Sequence, residues 1–267
     1  MTTLGSAQAG APANVVSADP VVRRIDANDL SWAIAEGWRD FREKRGDLIF
    51  AGVLYPLIGL VTAAVFLNNQ LLPLLFPLVA GLSILGPAVA SGFYELARRR
   101  EDGEDAGWPH FLDPLRGRSR TALATLTGGL GVLFLGWLAC AWAVYQATVG
   151  RLDPVGLAGF TDALLHTRQG WTMILLGNLI GGAFAVATLI LSVVSFPLVV
   201  DKPVDAGTAV LASIRAIRAN PGAIAQWGVR IALLLLLGAI PAFIGLAVVL
   251  PVLGYATWHL YTRLIER

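Results

Sequence analysis

The chain alternates between long apolar segments and short polar segments. Several apolar segments have about 20 residues or more, which is enough for an α-helix to cross a hydrocarbon core about 30 Å thick. This pattern predicts an all-α, polytopic helical membrane protein with about six transmembrane helices arranged as three hairpins. The predicted spans cover about Leu48–Leu67, Leu71–Ala97, Ala122–Ala147, Trp171–Val200, Ile224–Ile240 and Phe243–Tyr261.

The last apolar segment admits two interpretations. Residues 231–262 contain no Asp, Glu, Lys or Arg. As a single helix they would rise about 48 Å, which is too long for one hydrocarbon core. Because proline interrupts a helix, Pro241 is predicted to divide the segment into a fifth and a sixth span. The alternative is one tilted span, which would place the C-terminus on the opposite side of the membrane.

Two of the polar segments are predicted to form amphipathic helices. The first, Asp29–Arg45, places apolar residues at helical spacing between charged ones. Such a helix either lies in the membrane interface or packs on the protein's own cytoplasmic face, and both interpretations stay open. The second begins after a predicted N-cap, Asp205, and ends before Asn220. The apolar stripes are Leu30, Ile34, Trp38 and Phe41 in the first helix, and Val210, Ile214 and Ile217 in the second.

The composition agrees with a membrane protein. Hydrophobic residues make up 56% of the chain and charged residues 14%, whereas roughly a quarter of an ordinary soluble domain is charged. Residues 1–22 are small and polar, without the basic and apolar regions of a signal peptide. They are predicted to be a disordered cytoplasmic tail, and residues 23–267 are predicted to form a single membrane domain.

The basic residues predict the orientation. Of the 20 Lys and Arg residues, all except Arg151 and Arg168 fall on one side of the six-span arrangement. Cytoplasmic segments of membrane proteins are rich in Lys and Arg. Both termini are therefore predicted to be cytoplasmic.

An internal repeat is predicted from the two halves of the chain. Residues 33–52 align with residues 209–228, so that Arg39 falls on Arg215 and Arg42 on Arg218. The repeating unit would be a surface helix followed by a two-span hairpin, at about 29–99 and 205–265. A degenerate middle unit would cover about 108–200.

Three stretches of the sequence resemble a known family. They are SFPLVVDKPVDAGTAV, LPVLGYATWHLYTRLI and GPAVASGFYELARRR. They are similar to the bacterial "domain of unknown function 2189" family of predicted integral membrane proteins, over about residues 20 to 265. The resemblance implies a multi-span protein of the bacterial inner membrane. It implies no established activity, substrate or catalytic residue.

Glu95 and His259 are the candidate polar pair. They occupy matching places near the cytoplasmic ends of the second and sixth predicted spans. If those helices touch, the pair could share a proton or bind a cation. Because each residue lies within about one turn of the interface, helix-end capping and headgroup contact are the plainer explanation.

Enzyme, metal and nucleic-acid functions have little support in the sequence. It contains no GxSxG, HExxH or Walker A motif. His110 and His166 fall in loops on opposite sides, so no histidine metal site is predicted, and no cofactor is predicted either. The arginines belong to interfacial helices and loops, which favours anionic lipid as their partner over nucleic acid.

Two functional hypotheses follow. In the first, the protein is a non-enzymatic structural or accessory membrane factor, whose cytoplasmic face contacts membrane lipids, a protein partner or a second copy of itself. In the second, it is a transporter or channel for a small solute or lipid. The residues expected to make the lipid or partner contact are Trp38, Arg39, Phe41, Arg42, Arg215 and Arg218.

Overall fold

The computed structural model describes residues 20–43, 73–117, 119–240 and 243–266. These residues form helices, and no strand occurs among them. The first predicted span, Leu48–Leu67, lies outside the described residues. The α-helices are α1 (Ala27–Glu43), α2 (Leu75–Gly81), α3 (Gly86–Glu101), α4 (Asp113–Arg116), α5 (Arg120–Ala147), α6 (Gly156–His166), α7 (Arg168–Ser192), α8 (Ser195–Asp201), α9 (Ala206–Ala219), α10 (Pro221–Ala239) and α11 (Leu246–Leu264). Short 3₁₀ segments cover Leu82–Leu85, Trp108–Leu112 and Val149–Leu152.

Four of the described helical segments are long and apolar enough to cross a membrane. They are Leu75–Glu101, Arg120–Ala147, Arg168–Asp201 and Pro221–Ala239, and they correspond to the second to fifth predicted spans. The sixth predicted span corresponds to α11, which is not one of the four. Its C-terminal half is less apolar and is buried inside the protein, including Tyr255, Trp258 and His259.

The N-terminal and C-terminal ends of the described chain pair with each other. The backbone N–H of Arg23 donates to the carbonyl of Leu264 at 2.8 Å, and that of Glu266 donates to the carbonyl of Val21 at 3.0 Å. The two ends of the described chain therefore lie side by side. The chain breaks between Ala239 and Leu246, as predicted from Pro241.

Helix α1 packs along α11 through a line of small residues. A Cβ atom on Gly37 would lie 2.6 Å from the backbone nitrogen of Ala256, so only glycine permits this approach. The buried positions are Leu30, Ala33, Gly37 and Asp40. Within the predicted apolar stripe, Leu30 is buried against the protein, whereas Trp38 is 46% exposed. The residues of α1 that are buried against α11 are those that let the two helices approach closely, and they are not the bulkiest ones.

Helix α9, like α1, buries a line of small residues. Its buried residues are Ala209, Ala212, Ser213 and Ala216, and the predicted apolar residues flank this line. The Ser213 hydroxyl donates to the carbonyl of Ile190 in α7 at 2.7 Å. In the predicted repeat, Ala33 aligns with Ala209 and Gly37 with Ser213, so both helices bury equivalent positions.

Asp205 is the N-cap of α9, as predicted. One carboxylate oxygen accepts from the backbone N–H of Thr208 at 3.0 Å, and the other from the Thr208 hydroxyl at 2.5 Å. These hydrogen bonds to the Thr208 hydroxyl and backbone hold the pKa of Asp205 below its ordinary value, against a smaller opposing effect of burial. A lowered pKa means that the folded protein stabilises the charged carboxylate.

Replacing Asp205 with alanine is expected to lower the free energy of unfolding by about 1 kcal/mol at neutral pH, because an N-cap acceptor is lost. The lowered pKa makes this contribution fully present above the ordinary aspartate pKa of about 3.9, and it fades as the pH falls through the folded value. Thermal unfolding in detergent, followed by tryptophan fluorescence, measures the difference. Asp205→Asn keeps an acceptor and should retain most of the stability without the acid dependence. Equal losses in both variants would show that capping is not what Asp205 contributes.

The contacts between α2, α5 and α7 are apolar and close. Gly81 lies against the rings of Phe134 and Trp137, and Gly181 of α7 lies against the other end of the Trp137 ring. The indole N–H of Trp137 donates to the carbonyl of Pro77 at 2.8 Å.

Candidate functional site

The C-terminal end of α3 carries a group of paired charges. Glu95 is buried, and its carboxylate accepts from Arg98 at 2.7 and 3.0 Å and from Arg99 at 2.8 Å. Arg98 also donates to Asp102 at 2.9 Å. A buried carboxylate is stable when several charged donors surround it, and the i, i+3 and i, i+4 spacing on one helix supplies two of them.

The loop after α3 returns to this cluster. Gly103 adopts a positive φ of 71°, a conformation that glycine reaches without strain. The chain then folds back, so that Asp113 of α4 accepts from Arg99 at 3.0 Å and lies 2.7 Å from Nδ1 of His110. The ring of Phe111 covers Gly92, where a Cβ atom would lie 2.5 Å from it. The loop is therefore attached to α3 by both ion pairs and aromatic packing.

A second group of charges joins three helices around Asp40. This carboxylate, buried on α1, accepts from Nη1 of Arg100 of α3 at 2.8 Å. Its other oxygen lies 2.8 Å from Nε2 of His259 of α11. The Arg100 guanidinium also pairs with Glu43 at the end of α1. Asp40 thus holds α1, α3 and α11 together through charged hydrogen bonds.

The imidazole of His259 has polar partners on both nitrogens. Nδ1 lies 3.4 Å from a carboxylate oxygen of Glu101, on the side opposite Asp40. The ring of Trp32 meets the His259 ring edge-on at 5.6 Å, and the Arg263 guanidinium lies 4.0 Å over Trp32. Since both nitrogens face carboxylates, both can act as donors in this geometry.

Glu95 and His259 do not form the predicted pair. Both are buried, on the helices α3 and α11, which pack against each other. Their partners differ, however: Glu95 binds Arg98 and Arg99, whereas His259 faces Asp40 and Glu101. The arginines that follow Glu95 are closer to it along its own helix, and Asp40 reaches His259 from α1.

Asp40 is the residue that the sequence reasoning missed. The amphipathic pattern of α1 predicts its charged residues, Asp40 among them, on the face opposite the apolar stripe. Its position is three residues after Gly37 and seven after Ala33, so it continues the line of small residues. That spacing is the signal that could have placed Asp40 on the buried face.

A polar cleft lies beside the Glu95 cluster. Its volume is about 270 Å³, and Glu95, Arg98, Asp113, Asp201 and Lys202 contribute charged side chains to its lining. Asp201 accepts from the Tyr261 hydroxyl at 2.7 Å, and the Lys202 ammonium donates to the carbonyl of Glu266 at 3.1 Å. The cleft contains both charge signs, and its ionic groups have hydrogen-bond partners within the protein.

The predicted contact residues lie on the outward sides of α1 and α9. Trp38 is exposed, and Phe41 is partly buried beside it at a ring distance of 5.7 Å. Arg39 is exposed and pairs with Glu36 of its own helix. The other three arginines, Arg42, Arg215 and Arg218, are also exposed.

The two surface helices are connected through Asn220. This buried residue follows α9, accepts from the backbone N–H of Ile25 at 2.9 Å and donates to the carbonyl of Arg23 at 2.9 Å. The segment that leads into α1 is therefore fixed to the end of α9. Over the described ranges 20–43, 73–117, 119–240 and 243–266, no three His, Cys, Asp or Glu side chains are grouped as a metal site.

Comparison with known proteins supports the resemblance found in the sequence. Residues 75–201 match the family described as "Predicted integral membrane protein (DUF2189)". The matched segment is shorter than the range expected from the sequence. It contains Glu95, the three arginines after it and Asp201, whereas Asp40, Lys202 and His259 lie outside it. Among curated proteins and solved structures, none matches this chain.

Proposed function

We propose that this protein is a non-enzymatic structural or accessory factor of the bacterial inner membrane, with six spans and both termini cytoplasmic. Its α1 and α9 surface holds anionic lipid headgroups. Trp38, Phe41 and the four arginines Arg39, Arg42, Arg215 and Arg218 carry this contact.

The observation that carries the proposal is the orientation of α1 and α9. Both helices bury lines of small residues, such as Ala33 and Gly37 in α1 and Ala209 and Ala212 in α9. Their arginines and Trp38 are left exposed. An exposed tryptophan beside arginines is typical of a surface in the membrane interface, where the indole sits among headgroups and guanidinium groups bind phosphates.

The arrangement of polar groups favours this function over transport. A solute path needs polar side chains that face one another between spans, and the contacts of Trp137 and Phe134 with α2 and α7 are apolar. The buried charges Glu95, Asp40 and His259 are bound to other charged groups of the protein. The contacts of Asp40 with Arg100 and His259 join three helices, which suits a structural role.

The test is a lipid titration of the full-length protein in detergent, followed by native mass spectrometry. Phosphatidylglycerol is the anionic probe and phosphatidylcholine the comparison. Changing all four arginines to glutamine should weaken the binding of phosphatidylglycerol about tenfold or more, because each arginine near a lipid surface contributes about 1 kcal/mol. Phosphatidylcholine binding should change much less.

The matched control removes two arginines on the predicted opposite side, Arg151→Gln with Arg168→Gln. This variant should keep the preference for phosphatidylglycerol. An unchanged preference in the four-arginine variant would contradict the lipid contact. Extraction in a native-lipid polymer would then show whether a stoichiometric protein partner or a second copy occupies the surface instead.

A further inference from the structure

A groove beside the start of α5 has the shape and lining of a lipid site. Its volume is about 630 Å³, and its lining is mainly apolar. Its walls come from the first two turns of α5, which is one of the four candidate spans, and from the short helix α4. The groove therefore lies at the level where a spanning helix emerges from the hydrocarbon core. The lining residues are Leu115, Arg120, Thr121, Leu123, Ala124 and Thr127.

The end of the preceding 3₁₀ segment and the helix α4 present apolar side chains outward at this level. Leu112 is 45% exposed and Leu115 is 59% exposed. The opposite side of the segment is fixed to the protein, because Pro114 is buried and Asp113 pairs with Arg99. Exposed leucines beside a spanning helix are stable when they contact acyl chains instead of water.

Two arginines at the groove differ from those at the end of α3. Arg98, Arg99 and Arg100 each pair with carboxylates. Arg120 lines the groove, and Arg116 follows the lining residue Leu115 in α4. Both are exposed, and neither takes part in the ion pairs formed among the described residues. Two guanidinium groups without carboxylates, next to an apolar groove, complement a phosphate attached to acyl chains.

We propose that this groove binds one anionic phospholipid, with an acyl chain along Leu115, Leu123 and Ala124 and the phosphate on Arg116 and Arg120. This site extends the lipid contact proposed above, and it is separate from the α1 and α9 surface. The groove selects one bound molecule, whereas the exposed arginines of α1 and α9 attract headgroups of the surrounding membrane. The two contacts therefore differ in stoichiometry and in their dependence on an acyl chain.

The experiment is native mass spectrometry of the full-length protein in detergent, titrated with phosphatidylglycerol. The unchanged protein should show one tightly bound lipid before weaker additions. The double variant Arg116→Gln with Arg120→Gln should weaken the binding of that first lipid at least tenfold. Arg151→Gln with Arg168→Gln removes the same charge elsewhere and should leave it unchanged. An equal effect of both double variants would overturn the proposal.

A second variant tests the acyl chain without altering charge. Ala124 is exposed in the groove. The indole of Ala124→Trp should therefore fill the groove and weaken the binding of the first lipid at least tenfold. Full retention of the lipid in this variant would overturn the proposal. Inorganic phosphate should not compete with the lipid, and effective competition would show a phosphate site in place of a lipid site.

The four-arginine variant of α1 and α9 separates this inference from the proposed function. In that variant the weaker additions of phosphatidylglycerol should fall while the first lipid stays bound. Loss of the first lipid there would place the tight site on the α1 and α9 surface and overturn the groove. Retention of the weaker additions together with the first lipid would contradict the proposed function and leave the groove supported.

Discussion

Replacing Asp40 with alanine is expected to lower the free energy of unfolding by about 3–5 kcal/mol, which is the cost of breaking a buried ion pair by removing one partner. His259 is buried with its Nε2 2.8 Å from Asp40, and Arg100 donates to the other oxygen at 2.8 Å. Without the carboxylate, both groups lose their shared acceptor inside the protein. Unfolding by denaturant in detergent, followed by tryptophan fluorescence, measures the loss.

The matched control for Asp40 is Glu36→Ala in the same helix. Glu36 pairs with the exposed Arg39, and a surface pair contributes about 0–1 kcal/mol. A loss from Asp40→Ala no larger than that from Glu36→Ala would contradict the structural role of the network.

A double variant tests whether Asp40→Ala loses stability because the buried imidazole of His259 no longer has Asp40 as a partner. Replacing Asp40 with leucine and His259 with phenylalanine removes both members of the buried contact, while Arg100 keeps its pair with Glu43. Replacing a whole buried ion pair by apolar groups is often nearly neutral. The double variant should therefore be more stable than Asp40→Ala, and a purely additive loss would show that the two residues do not act together.

Replacing Gly37 with leucine is expected to separate α1 from α11 and to cost about 3 kcal/mol or more, at the upper end of overpacking effects. A Cβ atom at Gly37 would lie 2.6 Å from the Ala256 nitrogen and 2.7 Å from the Val252 carbonyl oxygen. Both are backbone atoms of α11, so no side-chain rotation can relieve the clash. Unfolding in detergent measures the stability, and limited trypsin digestion at Arg39 and Arg42 measures the exposure of α1.

Gly128 offers the control for Gly37. It lies inside the long helix α5 and has open space around its Cβ position. Gly128→Leu should leave stability unchanged or raise it, because leucine is the better helix former. Similar destabilisation by the two substitutions would show that the loss of glycine itself matters, and that the close approach of α1 does not.

The sequence alone was sufficient for the membrane class, the second to fifth predicted spans and the break near Pro241. These features depend on the local balance between apolar and charged residues and on proline, which every short segment carries in itself. The N-cap at Asp205 could be predicted for the same reason, since its partner Thr208 is three residues away. The first residue of the amphipathic helix α1 was also predicted to within two residues.

Only the tertiary structure decided which faces of α1 and α9 are buried and how the charges pair. Amphipathic spacing places Trp38 with Leu30, but Gly37 allows the backbones of α1 and α11 to approach and turns Trp38 outward. Asp40 is consequently buried against His259, a residue 219 positions away. Contacts of this kind depend on how helices from distant parts of the chain fit together, and a local pattern contains no information on that fit.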